Sequence, residues 1–183
     1  QSKENGKHTL RAMQENARQG FWNGSKPPFG YKTVEVEALG NKGKKKKRLT
    51  VDTAEAATVR RIYDWYLNGY NGRPIGMKEI ARLLTERGEL MRGSPWRIQK
   101  IHQILSDETY IGIYYFNTTH CKTRQTKPQD EWIRFEVEPI VAAVALQGLV
   151  DIGQRQVQQR QHLGGGYVSP AFGKSVAVHL LSI

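Results

Sequence analysis

The chain has 183 residues, 38% of them hydrophobic and 25% charged, the profile of one ordinary globular domain with or without appendages. Those proportions exclude collagen and low-complexity disorder, and the lone Cys121 excludes a disulfide scaffold and a Cys-rich zinc site. Twenty-eight Lys and Arg stand against 17 Asp and Glu, a net charge of +11, which suggests an anionic partner.

The excess is concentrated at one end, since residues 1–51 hold 12 basic and 4 acidic side chains while residues 52–111 hold 9 and 8. The longest apolar run, 139–149, is broken by Gln147 and Gly148 and falls short of the roughly 20 residues of a membrane span. No predicted helix pairs a basic face with a broad apolar one bearing exposed Trp or Phe. The opening QSKENGKHT has no secretory apolar region. The expectation is a cytoplasmic, nucleic-acid-binding protein with no membrane partner.

In chain order, a helix is predicted over 7–19, stopped by Gly20. Leu10, Met13 and Ala17 form its apolar stripe. Lys7, Arg11, Gln14 and Arg18 lie within about 60° of one another on an adjacent face, which reads as a solvated face or as a stripe that tracks phosphates. Lys26 follows in the turn-rich segment NGSKPPFGY. Residues 31–36 and 49–51 read as a hairpin whose tip, GNKGKKKKR, holds Lys44, Lys45, Lys46, Lys47 and Arg48 in succession. That run reads as a solvated loop touching phosphate, a nuclear import signal or a DNA-backbone clamp.

Asp52 and Glu55 open a helix as a D-x-x-E variant of the capping box. Val59, Ile62, Tyr63, Tyr66 and Leu67 give it a core stripe, and Gly69 closes it. A second helix is predicted over 77–87, with Met77, Ile80, Ala81 and Leu84 inside and Gly88 at its end. A third is predicted over 95–106, with Ser94 as N-cap and Pro95 as first residue. In it Ile98, Ile101, Ile104 and Leu105 face inward and Gln99, Lys100, His102 and Gln103 outward. No acid lies between Glu89 and Asp107.

Two short helices, the second with an acid-free polar face, suit an expanded helix-turn-helix in which Gln99 and Gln103 reach base edges. Lys100, Arg92 and Arg97 would then hold phosphate. The same pattern also fits a plain helical hairpin. Residues 110–117 and 131–139 read as two further strands, with Trp132, Phe135 and Val137 inward, and a last helix is predicted over 146–162. The fold class is therefore α+β, a small helical module with β-hairpins. Nothing asks for a cofactor or a metal: His102, His120 and Cys121 come nearest to a ligand set, and the last two are neighbours in a predicted loop.

The runs LRAMQENARQGFWNGSKPPFGY, YLNGY, GMKEIARLLTERGE and WRIQKIHQILSDETYIGIYYFN together closely resemble the DNA-binding recombinase domain of large serine recombinases. The likeness covers approximately residues 5–140. In that family a resolvase-like catalytic domain comes first, a long helix joins it to this module, and a zinc ribbon and coiled coil often follow. The resemblance implies that residues 1–20 end the linking helix and that 21–140 grip one half of a duplex DNA attachment site. Residues 141–183 would be a C-terminal helix and tail. It implies, for a complete enzyme, DNA cleavage and rejoining through a phosphoserine link.

The catalytic domain and the zinc ribbon are missing from these residues. The expectation is a fragment, a truncated gene product or a frame-shifted end that binds DNA, self-associating only through missing domains. Ser2, Ser25, Ser94, Ser106, Ser169, Ser175 and Ser182 match no nucleophile motif and receive no catalytic role. A basic RNA-associated protein is the alternative, though RNA readers expose aromatics on a sheet and here most aromatics fall on helix core faces.

Overall fold

A computed structural model of the chain describes residues 2–24, 26–39, 43, 45–120, 123–145 and 148. The fold is α+β, with four α-helices and two separate two-stranded antiparallel sheets among the described residues. The chain divides into two compact units, residues 1–56 with 108–140 and residues 57–107 with 141–183. The predicted helix over 146–162 and the tail lie outside the described residues, apart from Gly148.

The first unit opens with α1 (Ser2–Arg18). It stops where Gly20 takes a φ of 74°. Gly20 N–H then donates to the Ala17 carbonyl and Phe21 N–H to the Asn16 carbonyl, each at 2.9 Å, the paired bonds of a Schellman end. Of the predicted apolar stripe, Ala17 is buried, Met13 half-buried and Leu10 exposed. Ala17 packs with Ile133 and Phe135, and Tyr114, Phe116 and Val137 close over them.

β1 (Tyr31–Leu39) pairs with β2 (Lys45–Val51), Tyr31 opposite Val51 and Glu35 opposite Lys47, with an irregularity between Glu35 and Leu39. Here the prediction is corrected. Lys45–Arg48 are not a loop tip but the first half of a strand, because β1 runs on to Leu39 and supplies a partner ladder that a run of like charges does not announce.

Tyr31, 1% exposed, ties the unit together. Its Oη lies 2.7 Å from the Thr109 carbonyl oxygen and 2.8 Å from that of Glu138, sharing one proton between strongly separated stretches of chain. β3 (Ile113–Phe116) and β4 (Ile133–Glu136) form the second hairpin. In β4, Ile133 and Phe135 are buried and Arg134 and Glu136 exposed. The expected inward set is thus shifted: Trp132 is only half-buried and precedes the strand, its indole N–H donating to the Lys127 carbonyl at 3.0 Å.

α2 (Thr53–Asn68) begins in the first unit and continues into the second. Asp52 caps it, its Oδ1 accepting from the N–H groups of Ala54 and Glu55. The capping box does not close, because Glu55 Oε2 instead accepts from Gly30 N–H at 2.8 Å while Asp52 N–H donates to the Gly30 carbonyl.

In the second unit, Val59, Ile62 and Tyr63 are buried as the period predicts, Tyr66 and Leu67 are half-buried, and Trp65 joins the interior. Tyr63 Oη donates to the Ile104 carbonyl at 2.9 Å. α3 (Met77–Glu86) buries Ile80, Ala81 and Leu84 and packs on α4 (Ile98–Ser106), which buries Ile101, Ile104 and Leu105. Tight turns set off both helices of this pair. Tyr70 bridges Arg73 across Asn71 and Gly72, and Met91 bridges Ser94 across Arg92 and Gly93. All four central residues have positive φ, the geometry of type I′ turns.

Candidate nucleic-acid interface

α4 starts later than the sequence suggests. Ser94 is not its N-cap, being held by paired backbone bonds with Met91, and Pro95 lies outside the helix. Arg97, in an extended conformation without a capping side chain, is the N-cap. The reason is Trp96. Its buried indole N–H donates to the Glu89 carbonyl at 2.6 Å and its backbone N–H to Thr85 Oγ1 at 3.1 Å, so Trp96 is committed to tertiary bonds before the helix begins. Glu89 reinforces this connection through ion pairs with Arg61 and, at 3.3 Å, Arg87.

The outward face of α4 matches the prediction in most respects. Gln99, Lys100 and Gln103 are exposed, and Lys100 Nζ donates to Gln103 Oε1 at 2.9 Å. Arg97 is exposed as well, and Arg92 is exposed at the tip of its turn. Ile98 departs from expectation. Sequence periodicity puts it in the core, but in the first turn of the shortened helix it is 46% exposed, beside Gln99 rather than behind it.

The N-terminal basic residues fall in three settings, α1, the loop after it and β2, all in the first unit. Lys7 and Arg11 are exposed on α1, whereas Arg18 lies 3.5 Å from Glu15. Arg18 also lines, with Gln14, Asn117, Arg134 and the acidic Asp130 and Glu131, an open cleft of about 420 Å³. Lys26 is exposed in the loop between α1 and β1. On β2, Lys45, Lys47 and Arg48 are exposed and Lys46 half-buried. Lys44 lies outside the described residues.

Sequence reasoning missed Phe21, which is buried beneath β2 with Lys46 Nζ 4.3 Å and Arg48 Cζ 5.0 Å from its ring centre. The signal was the apolar residue just past the Gly20 helix end, where a Schellman motif places its hydrophobic contact. Among the described residues no three His, Cys, Asp or Glu gather as metal ligands, and no helix is long and apolar enough to cross a membrane. Cys121 lies outside the described residues.

Residues 53–143 match the family model described as Recombinase, a span that takes in α2, α3, α4 and the second hairpin. Among solved structures, the chain is similar to one titled as a crystal structure of an LSR–DNA complex, at 15% identity and a TM-score of 0.51 over 82% of this chain. It is similar also to one titled for the sequence requirements of the Listeria innocua prophage attP site, at 15% identity and a TM-score of 0.50 over 81%. The chain spans 38% and 52% of the length of those two chains. At such identity the likeness is one of fold.

Proposed function

The chain carries a domain of the Recombinase family over residues 53–143, and from that premise we propose that it binds duplex DNA as the sequence-reading module of a site-specific serine recombinase. The observation that carries the reading is α4 within the matched span. It is a short helix with Gln99, Lys100 and Gln103 exposed on a stretch free of acids from Leu90 to Ser106. A major groove admits such a helix, a Gln amide can pair with the N6/N7 edge of adenine, and no carboxylate repels the backbone. α3 and α4 then act as an expanded helix-turn-helix, with Arg92 and Arg97 at the phosphates flanking the groove. Lys7, Arg11, Arg18, Lys26 and the basic run on β2 add backbone contacts that position without selecting.

The partner is one half of an attachment site. In a complete recombinase, strand exchange through a serine would be the work of another domain, and none of the serines here is given that role. The RNA-associated alternative gains no support from the matches. It also fits poorly with aromatics such as Tyr31, Tyr63, Trp65 and Phe135, which are buried rather than offered for stacking.

The experiment is competition between duplex DNA and structured RNA across a salt series. If about six phosphates are neutralised, log K for duplex falls with log salt at a slope near −5, and RNA of equal length competes weakly. Equal competition by RNA, or an affinity insensitive to salt, would overturn the reading.

A further inference from the structure

Strand pairing sorts the charges of the first hairpin by face. On β2 the residues alternate, so Lys45, Lys47, Leu49 and Val51 share one side and Lys46, Arg48 and Thr50 the other. Register assigns the matching residues of β1: Tyr31, Thr33 and Glu35 stand with the first set, Lys32 and Val34 with the second. The first side carries the buried Tyr31 and sets Lys47 directly opposite Glu35. The second carries Lys32, Lys46 and Arg48 and no acid between Lys32 and Val34 or between Lys46 and Thr50. A run that is uniform in sequence is therefore split into a side that shares its surface with Glu35 and a side that shares it with Lys32.

The second side has a built floor. The Schellman end of α1 turns the chain so that Phe21 follows Gly20, and Trp22 N–H donates to the Lys47 carbonyl at 2.7 Å. That bond fixes the loop to β2 and leaves the Phe21 ring under Lys46 and Arg48. An aromatic face attracts cations without neutralising them. Lys46 Nζ also donates to Gln19 Oε1 at 3.0 Å, and Gln19 in turn donates to Glu15. Glu15 thus reaches Lys46 only through an amide, and its carboxylate already pairs with Arg18. Among the described residues neither Lys46 nor Arg48 forms an ion pair with a carboxylate. Two flexible cations are held close together, their rotamers restricted, with their charge unspent.

We infer that Lys32, Lys46 and Arg48 form a site for the phosphodiester backbone of duplex DNA, with Phe21 as the positioning residue that holds Lys46 and Arg48 ready for it. This deepens the DNA-binding reading and rests on it. It adds Lys32 and Phe21 to the interface, and it ranks the basic run by face rather than by number of charges. Because a phosphate contact carries no base information, the site strengthens every duplex alike.

The test measures duplex affinity of the full chain against salt for two charge-matched pairs. The double variant Lys46→Gln/Arg48→Gln should make the slope shallower by at least about one unit, and Lys45→Gln/Lys47→Gln by less than half as much. Phe21→Leu should move the slope in the direction of the first pair, and Phe21→Tyr, which keeps an aromatic face, should restore it. Thermal melting identifies any Phe21 variant that fails to fold, and the two charge pairs on β2 keep the test decisive in that event. Equal effects of the two pairs, or a Phe21→Leu variant that folds and keeps the parent slope, would overturn this inference while leaving the DNA-binding reading standing. Failure of the parent itself to bind duplex would instead remove that reading.

Discussion

The two units are built by different means. In the second, the helical periods of α2, α3 and α4 and the type I′ turns at Asn71–Gly72 and Arg92–Gly93 are set by nearby residues, the start of α4 excepted. In the first, residues far apart in sequence must find one another: Tyr31 reaches Thr109 and Glu138, and Ala17 packs on Ile133 and Phe135. Helical order can therefore form early and locally in the second unit, while the hairpin unit depends on contacts whose loop-closure entropy must first be met. The lesson concerns charge as well. On a helix, the outward face is fixed by period, whereas on a ribbon the partner strand decides which cations stand together.

The largest expected effect is on the helical unit. Leu84 is fully buried on α3, and Leu84→Ala should cost about 2–5 kcal/mol, read by chemical denaturation. A loss below about 1 kcal/mol would mean that the α3 interior can collapse around the gap. Next comes Tyr31→Phe, which removes the hydroxyl between the Thr109 and Glu138 carbonyls, the first of them in a buried bond, and should cost about 1–3 kcal/mol. Hydrogen exchange sharpens the contrast: protection should fall first for amides of β1–β4, not for those of α3 and α4. Uniform loss across both units would show that they unfold as one.

Asn71→Ala should be smaller, about 1 kcal/mol, because alanine tolerates the φ of 51° poorly. Smallest of all is Arg82→Ala. Arg82 joins Glu79 at 2.8 Å and Glu86 at 2.6 Å, but on an exposed face of α3. Its hydrogen bonds hold the Glu79 carboxyl below the usual carboxylate range. Any stability from Glu79 is then complete above that range and lost as pH falls through the lowered value. Exposure keeps it slight, so the melting midpoint should be unchanged at neutral pH and its acid limb nearly so.

The helices, the Asp52 cap and the exposed set Gln99, Lys100 and Gln103 were legible in the sequence because period and capping chemistry are local. The start of α4 was not. Ser94 and Pro95 are a sound local start signal, but Trp96 is drawn inside by bonds to Glu89 and Thr85, and the helix begins only after it. Ile98 followed from the same error, since a helix shortened at its first turn leaves that residue outside. The extension of β2 through Lys45–Arg48 was hidden because four cations in a row show no alternation of hydropathy. Only pairing with β1 gives them two sides.

Binding-site selection from a randomised duplex pool decides whether α4 reads base sequence. The parent should enrich one sequence preference. Gln99→Ala and Gln103→Ala should each relax it at one or two positions while nonspecific affinity stays nearly intact, each lost bidentate contact being worth about 1–3 kcal/mol of discrimination. Lys100→Ala should instead weaken all sequences together and reduce the salt slope by about one unit. If both glutamine variants enrich the same sequences as the parent with the same strength, α4 is not the reader.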